Sequence, residues 1–141
     1  FRNRQNPPMV GFEKLNVWQK AVDYADELYV NSKRFPKEEL FGITNQLRRA
    51  SLSVALNIAE GAGRQSKREF SRFITIAYGS LCETLTILVL CKKRVYINER
   101  DYSVFYQKSQ EIARMLSGLL EKQKAGSAGT SSRLSTLDSQ P

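Results

Sequence analysis

The sequence contains no histidine and is poor in cysteine and proline. The absence of histidine removes both the commonest general base and the commonest metal ligand from the chain. Proline is absent from residues 37–140, so long helices can run through most of the sequence without a forced break. These absences disfavour an enzyme that depends on acid–base or zinc chemistry, and they favour an all-α protein.

The two cysteines, Cys82 and Cys91, fall in one predicted helix. Their spacing separates them by roughly 13 Å along the helix axis, whereas a disulfide needs Cα atoms within about 7 Å. We therefore expect both thiols to be reduced and buried, as is usual in the cytoplasm.

Neither a signal sequence nor a long uninterrupted apolar run is present. The longest mostly apolar stretch, Phe73 to Cys91, is broken by polar residues and indicates a buried helix rather than a membrane span. The N-terminus does not show a basic region followed by an apolar one. The expectation is a cytoplasmic protein without membrane contact.

What the chain does contain is positive charge. With 141 residues it is long enough for one domain with a single core, and its net charge is +8. A surplus of this size favours an acidic partner, of which nucleic acid is the commonest kind.

Apolar periodicity predicts four helices, at about residues 13–33, 36–60, 67–94 and 98–124. Short connections favour an antiparallel, up-down-up-down four-helix bundle. Ser66 and Glu69 form a capping-box pattern at the third helix, and Asn98 is the expected N-cap of the fourth. The bundle domain is thus placed at residues 12–124. Residues 1–11 are an N-terminal extension whose part before Met9 fits a cloning remnant, and residues 125–141 are a disordered tail.

One apolar stripe on each helix is assigned to the core. The stripes are Leu15, Trp18, Val22, Ala25 and Tyr29; Leu40, Ile43, Leu47, Ala50, Val54 and Ile58; Phe70, Phe73, Ala77, Leu81, Leu85 and Leu88; and Tyr102, Phe105, Ser109, Ile112, Leu116 and Leu119.

The second and third helices carry more apolar residues than one core requires. The surplus consists of Leu52, Leu56 and Ala59 on the second helix, and Ile74, Ile76, Tyr78, Ile87, Val89, Leu90 and Cys91 on the third. Because a helix at the surface of a monomer shows one apolar stripe, this surplus predicts a homo-oligomer. The alternative is that these two helices are simply the better-buried pair.

Basic residues are clustered in two places that an antiparallel bundle would put at opposite ends. The candidates for nucleic-acid contact are Arg64, Lys67, Arg68 and Arg72 after the second helix, and Lys92, Lys93 and Arg94 at the end of the third, near Lys33, Arg34 and Lys37. Clustered cations hold phosphate groups. The alternative is that both clusters are solvated helix ends.

A second set of polar residues lies among apolar neighbours and is expected to be buried or in an interface. It comprises Arg48, Arg49, Asn57, Glu60 and Glu83. One of the two arginines must approach the core, since adjacent helical positions differ by about 100°, and Glu60 and Glu83 are its candidate partners.

No catalytic group, metal site or cofactor is predicted. Di-metal sites in bundles use Glu-x-x-His motifs, which the sequence cannot supply, and an all-carboxylate site is the remaining alternative. The serines Ser51, Ser53 and Ser80 have no activating partner in the pattern, and no phosphate-loop motif is present.

The sequence resembles the four-helix bundle family of 23S rRNA intervening-sequence proteins. The matching motifs are Phe12-Glu-Lys-Leu-x-Val-Trp18, Phe35-Pro-x-Glu-Glu39, Phe41-Gly-Ile-Thr-x-Gln-Leu-Arg-Arg-Ala50, Asn57-Ile-Ala-Glu-Gly61, Glu69-Phe-x-x-Phe73 and Ile76-Ala-x-Gly-Ser-Leu-x-Glu83. The resemblance implies a cytosolic, non-enzymatic bundle that assembles into a ring-like homo-oligomer, a pentamer. It also implies nucleic-acid binding, because related bundle proteins assist reverse transcriptases in this way.

The leading hypothesis is therefore an oligomeric bundle that binds RNA or DNA through replicated basic patches. A protein-interaction scaffold without a nucleic-acid role is the alternative, in which the basic surface serves an acidic protein partner. A carboxylate metalloenzyme is a third hypothesis.

Overall fold

The computed structural model describes residues 11–135, and the side chains of residues 11–126. Over this range the chain is all-α, with four helices: α1 (Asn16–Asn31), α2 (Ile43–Ala62), α3 (Lys67–Lys93) and α4 (Glu99–Ser135). One short 3-10 segment precedes α1 (Phe12–Lys14). Two more form the connection between α1 and α2 (Ser32–Arg34 and Lys37–Glu39).

Paired residues show that neighbouring helices run in opposite directions. Along α1, Lys20, Tyr24 and Asn31 contact Glu111, Ser109 and Asp101 of α4 in turn, so that numbers rise on one helix as they fall on the other. In the same way Ser53 of α2 meets Ser80 of α3, and Gly61 meets Phe73. Consecutive helices are neighbours and α4 packs against α1, which closes the predicted up-down-up-down bundle.

The second helix begins seven residues later than expected. Pro36 is followed by the 3-10 segment Lys37–Glu39, and Gly42 then takes a backbone conformation outside the helical region (φ −112°, ψ −113°). Because Leu40 precedes the helix, it is not part of the apolar stripe of α2. The prediction that Leu40 belongs to the core is wrong, since its side chain is exposed.

The helix caps follow the sequence pattern with one change. The Ser66 hydroxyl accepts a hydrogen bond from the Glu69 backbone N–H at 3.0 Å, as a capping box requires. The Glu69 carboxylate, however, accepts a hydrogen bond from Arg72 instead of returning to Ser66. At α4 the expected N-cap is confirmed, because Asn98 Oδ1 accepts from the Asp101 N–H at 2.7 Å.

The fourth helix extends to Ser135, beyond the predicted end at Lys124. The expected disordered tail therefore begins in a segment that is helical here. Isolated glycines such as Gly126 cost a helix only about 1 kcal/mol each, and no proline stops the chain before Pro141. The N-terminal extension, apart from Gly11, and residues 136–141 lie outside the described residues.

The core stripe of α1 is not the one that the spacing suggested. Val17, Ala21, Tyr24 and Leu28 are buried, whereas Val22 and Tyr29 of the predicted stripe are 38% and 48% exposed. The helix carries two apolar stripes about 100° apart, and spacing alone does not say which of them faces the core. The Tyr24 hydroxyl, 2.6 Å from Ser109 Oγ, fixes the choice, and burial raises the pKa of Tyr24 to about 12.

On the other helices the predicted stripes are largely confirmed. The buried members include Leu47, Ala50, Val54 and Ile58 of α2, Ala77, Leu81 and Leu88 of α3, and Phe105, Ser109, Ile112 and Leu116 of α4. Ile74 and Cys91, which were assigned to the surplus, are fully buried core residues. Both cysteines are free, but the expectation that both are buried is wrong for Cys82, which is exposed. Burial raises the pKa of the Cys91 thiol to about 11.

Among the described helices, α3 alone is long and apolar enough to cross a membrane by length and composition. In the bundle it packs against both α2 and α4, and the core helix of a helical bundle meets the same criteria.

A close approach of α2 and α3 depends on Gly61. A Cβ atom at this position would lie 2.9 Å from Phe73 Cβ and 3.3 Å from the Phe70 carbonyl oxygen. Real Cβ atoms do not tolerate the shorter distance, so any larger residue must push the two helices apart.

We expect Gly61→Ala to lower the free energy of unfolding by about 1–3 kcal/mol, since overpacking of a tight contact costs this much. The matched control is Gly79→Ala on α3, where an added Cβ meets no atom within 4 Å. That change should raise stability by about 0.5–1 kcal/mol through helix propensity alone. Urea unfolding at one protein concentration measures both. Equal effects in the two variants would contradict the packing argument.

The end of α3 holds a valine in a conformation that favours glycine. Val95 has φ 61°, is 83% exposed, and follows the C-cap residue Arg94. The Tyr96 N–H donates to the Cys91 carbonyl at 2.9 Å and the Val95 N–H to the Lys92 carbonyl at 3.0 Å, which is the Schellman pattern. A β-branched residue here carries backbone strain.

Val95→Gly should therefore raise the free energy of unfolding by about 1 kcal/mol, because glycine adopts the left-handed conformation without steric cost. Val95→Ala retains a Cβ atom and should gain much less. The two variants are compared by urea unfolding. A larger gain for alanine than for glycine would exclude backbone strain as the cause.

Candidate nucleic-acid interface

Two of the four cations predicted after α2 are neutralised within the protomer. Arg64 Nη2 lies 2.6 Å from Glu60 Oε1, and Arg72 Nε lies 2.7 Å from Glu69 Oε2. Both guanidinium groups also stack on the Phe73 ring, at 4.9 and 4.5 Å from its centroid. The hydrogen bond from Arg72 holds the pKa of the Glu69 carboxyl below its usual value. These two arginines therefore make contacts that stabilise the turn between α2 and α3.

The other two cations, Lys67 and Arg68, are exposed on the first turn of α3 and have no acidic partner among the described side chains. They line an open groove of about 720 Å³ between the start of α3 and the later part of α4. We call this the α3–α4 groove. Its lining consists of Lys67, Arg68, Ser71, Thr75, Ser117, Leu120, Glu121, Gln123 and Lys124.

The chemistry of the α3–α4 groove suits a phosphate group. Its lining has three cations, and its one acid, Glu121, lies 3.7 Å from Lys124 in an exposed ion pair. Ser71 and Ser117 add hydroxyl groups. Lysine and arginine with hydroxyl donors form the usual set of phosphate contacts in nucleic-acid complexes.

Sequence reasoning missed the half of this groove that α4 supplies. Lys124 was placed at the end of the fourth helix, next to an expected disordered tail, and Ser117 carries no motif. The antiparallel packing of α3 and α4 brings them opposite Lys67, whose ammonium group lies 3.3 Å from the position that a Cβ atom of Gly126 would take. The one available signal was the positive charge near the end of the last predicted helix.

The second basic cluster, at the opposite end, is more strongly balanced by acids and aromatic rings. Lys92 lies 3.4 Å from Glu99 and over the Tyr102 ring, and Arg94 lies 6.0 Å from the Tyr96 ring centroid. Lys93 is exposed. Nearby, Arg34 pairs with Asp101 at 3.2 Å.

Of the two central arginines, Arg48 is the one that lies closer to the core. Its Nε donates to Ser32 Oγ at 2.9 Å and its Nη2 to the Tyr29 carbonyl oxygen at 3.3 Å. The guanidinium carbon lies 4.1 Å from the centroid of the Tyr29 ring. Neither Glu60 nor Glu83 is its partner, which corrects the predicted pairing. Arg48 joins α2 to the end of α1.

The remaining polar candidates divide between the α2–α3 seam and the surface. Asn57 is half-buried and donates to the Ser53 carbonyl oxygen at 2.8 Å and to Ser53 Oγ at 3.0 Å. Glu60, Glu83 and Arg49 are exposed on this protomer, which leaves contact with another chain as the remaining expectation for all three. They sit on the outer flank of their helices, about 100° or more from the core stripe.

Among the described side chains, those of residues 11–126, no group of three or more acidic or cysteine side chains lies close enough to hold a metal ion.

Part of the predicted apolar surplus is exposed. Leu52 and Leu56 on α2 are 50% and 58% exposed, and Ile76, Val89 and Leu90 on α3 are also exposed. Leu52 shares a groove of about 350 Å³ with Val22, Ala25 and Tyr29 of α1, the residues once assigned to the core. We call this the α1–α2 groove, and Asp26, Arg48 and Arg49 form its remaining lining.

Arg48→Ala should lower the free energy of unfolding by about 1–3 kcal/mol, because Ser32 and the Tyr29 carbonyl lose a charged donor. Arg48→Lys keeps the charge but not the planar fork, so it should recover only part of the loss. Arg114→Ala, at an exposed arginine of α4, is the control and should change stability by less than about 0.5 kcal/mol. Urea unfolding separates these outcomes. An Arg48→Ala value no larger than the control would show that these contacts contribute nothing.

Comparison with known proteins agrees with the bundle architecture. A crystal structure of a protein with unknown function from the S23 ribosomal protein family, from Bacteroides thetaiotaomicron, superposes with a TM-score of 0.70. It is 26% identical, and the match covers 74% of this chain and 95% of that one. The search of curated proteins gives no match. Residues 13–118 match the sequence profile described as 23S rRNA-intervening sequence protein. Since this match spans most of the chain, the protein belongs to the 23S rRNA-intervening sequence protein family.

Proposed function

We propose that the protein is a non-enzymatic, cytoplasmic homo-oligomer that binds RNA or DNA, with the α3–α4 groove as its main contact. The observation that carries the proposal is that Lys67 and Arg68 are exposed and unpaired among the described residues, while Arg64 and Arg72 beside them are paired with acids. Unpaired cations contribute more to phosphate binding, since no internal ion pair has to be broken.

Binding of this kind is sequence-independent. The groove offers ammonium, guanidinium and hydroxyl groups, which contact the phosphate backbone. It has no aromatic side chain in its lining on which bases could stack. Hydrolysis is not part of the proposal, because the one carboxylate in this lining, Glu121, is paired with Lys124 and is not hydrogen-bonded to Ser71, Thr75 or Ser117.

Oligomerisation is proposed on the exposed apolar residues of α1, α2 and α3. Leu52 and Leu56 are exposed on α2, and Val22 of α1 lines the α1–α2 groove together with Leu52. Contiguous exposed apolar surface of this kind marks contact with another chain. Repetition of the α3–α4 groove around an oligomer would strengthen its positive potential.

The test is binding of a labelled mixed-sequence single-stranded RNA, and of its duplex, measured over a series of salt concentrations. Wild-type affinity should fall steeply with salt. The double variant Lys67→Gln/Arg68→Gln should bind more weakly. It should also reduce the slope of log K against log salt by roughly 0.7 for each single-strand phosphate contact that is lost.

The matched control is Lys33→Gln/Arg34→Gln, which removes the same dipeptide and the same charge at the other end of the bundle. We expect a clearly smaller change in affinity and slope. Equal losses in both variants would mean that overall charge, not the groove, governs binding. If the wild-type protein did not bind at low salt, the nucleic-acid proposal would be overturned.

A further inference from the structure

A second cavity lies on the same helix pair as the α3–α4 groove. It has a volume of about 310 Å³ and lies between the middle of α3 and the first half of α4. We call it the Tyr78 pocket. Among the described residues, no acidic side chain lines it. Its lining includes Tyr78, Leu81, Cys82 and Leu85 of α3, and Gln110 and Arg114 of α4.

The Tyr78 pocket and the α3–α4 groove form one continuous surface. Residues three and four apart lie on the same face of a helix. On α3 the lining of the two cavities follows this spacing through Arg68, Ser71, Thr75, Tyr78, Cys82 and Leu85. On the antiparallel α4 it does so through Lys124, Glu121, Ser117, Arg114 and Gln110. A ligand in the α3–α4 groove can therefore continue into the Tyr78 pocket.

The distance along this surface suits a short piece of a nucleic-acid strand. Arg68 and Tyr78 are ten residues apart in one helix, which is roughly 15 Å along its axis. Stacked nucleotides of one strand follow each other at about 3.4 Å, so about four of them span this distance, and fewer do so in an extended strand. A strand with a phosphate at Arg68 thus brings a nearby base to Tyr78.

The side chains of the Tyr78 pocket suit a nucleobase. Tyr78 is 37% exposed, and among the described side chains no other aromatic ring and no cation stacks on its ring. Leu81 and Leu85 add apolar surface, while the Gln110 amide can bond to polar atoms of a base edge. Arg114 is exposed and has no acidic partner among the side chains of residues 11–126.

We propose that the Tyr78 pocket binds an unpaired base of a single-stranded nucleic acid whose phosphates lie in the α3–α4 groove. This inference rests on the nucleic-acid binding proposed above, and it names the form of nucleic acid that the surface recognises. The bases of a single strand can turn outwards and stack on an aromatic side chain. The bases of a duplex are paired and stacked on one another, so a duplex can use the cations of the groove but not Tyr78.

The test compares the affinities of Tyr78 variants for a labelled single strand of about ten nucleotides and for a duplex of the same length, at low salt. Tyr78→Leu removes the ring but keeps an apolar side chain. It should weaken single-strand binding by about 5- to 100-fold, the loss expected for one base–aromatic stack. Tyr78→Phe keeps the ring and should restore wild-type affinity to within about twofold. Neither variant should change the affinity for the duplex.

The matched control is Tyr29→Leu. Tyr29 is a tyrosine of similar exposure, at 48%, and lies beside Arg48 in the α1–α2 groove, away from α3 and α4. Its replacement should leave single-strand affinity unchanged. Circular dichroism and urea unfolding establish that each variant is folded. Equal losses in Tyr29→Leu and Tyr78→Leu, or an unchanged affinity in Tyr78→Leu, would overturn the inference.

Cys82 provides a second readout from inside the pocket. It is exposed, whereas Cys91 is fully buried, so a maleimide reagent modifies Cys82 selectively. A saturating single strand should slow this reaction several-fold, and a duplex bound to the same extent should not. Equal protection by both forms would mean that the backbone covers the pocket from outside, which contradicts the proposed base contact. A Cys82 thiol that is unreactive in the free protein, because another copy covers it, would also contradict it.

The Lys67→Gln/Arg68→Gln variant separates this inference from the function on which it rests. It should weaken the binding of both forms of nucleic acid, whereas Tyr78→Leu should weaken the binding of the single strand alone. A loss in the first variant without a loss in the second would retain the phosphate contact and refute the base contact. A wild-type protein that binds neither form at low salt would refute both.

Discussion

The close contact between α2 and α3 at Gly61 is the constraint on which the rest of the structure depends. Because the glycine has no Cβ atom, Phe73 and the Phe70 backbone can approach α2 directly. The chain then reverses within a few residues, and Ser66 begins α3 immediately after the turn. Arg64 and Arg72 both stack on Phe73 and are held in ion pairs, so Lys67 and Arg68 are the cations of this cluster without an acidic partner among the described side chains.

Sequence pattern was sufficient for the architecture but not for every helix face. On α4 the apolar stripe is narrow enough to have one interpretation, and Ile112 and Leu116 are buried as predicted. On α2 Leu47 and Ile58 of the predicted stripe are buried as well. On α1 two apolar stripes compete, and the choice depends on the Tyr24–Ser109 hydrogen bond, which joins residues 85 positions apart. No local pattern contains that information. The stripe assigned wrongly to the core is nevertheless informative, since it forms the apolar wall of the α1–α2 groove.

The candidate site was predictable only in part, for a related reason. The basic residues after α2 are close in sequence, but only some of them lack an acidic partner and can bind a phosphate group without breaking an ion pair. Arg64 reaches back one turn to Glu60 and Arg72 reaches Glu69, and the sequence alone does not tell which cations will be paired in this way. The contribution of Ser117 and Lys124 depends on the antiparallel register of α3 and α4. Sequence patterns therefore predict the residues that each helix contributes to such a surface, but not which residues of the two helices come together.

The proposed surfaces leave one another free. The proposed oligomer contact includes exposed apolar residues of α1 and α2, whereas the proposed nucleic-acid contact is the α3–α4 groove, and α4 stands diagonally across the bundle from α2. An oligomer formed through these residues of α1 and α2 would therefore keep one α3–α4 groove open on every protomer. Two unpaired cations in a single groove bind a phosphate backbone weakly and with strong salt dependence. A strand held in one groove, however, meets the next as an intramolecular partner, and linked sites of this kind gain about 10²–10⁴ in avidity. On this argument the proposed oligomer is what makes a weak groove effective, which connects the exposed apolar residues of α1 and α2 to the positive charge of the α3–α4 groove.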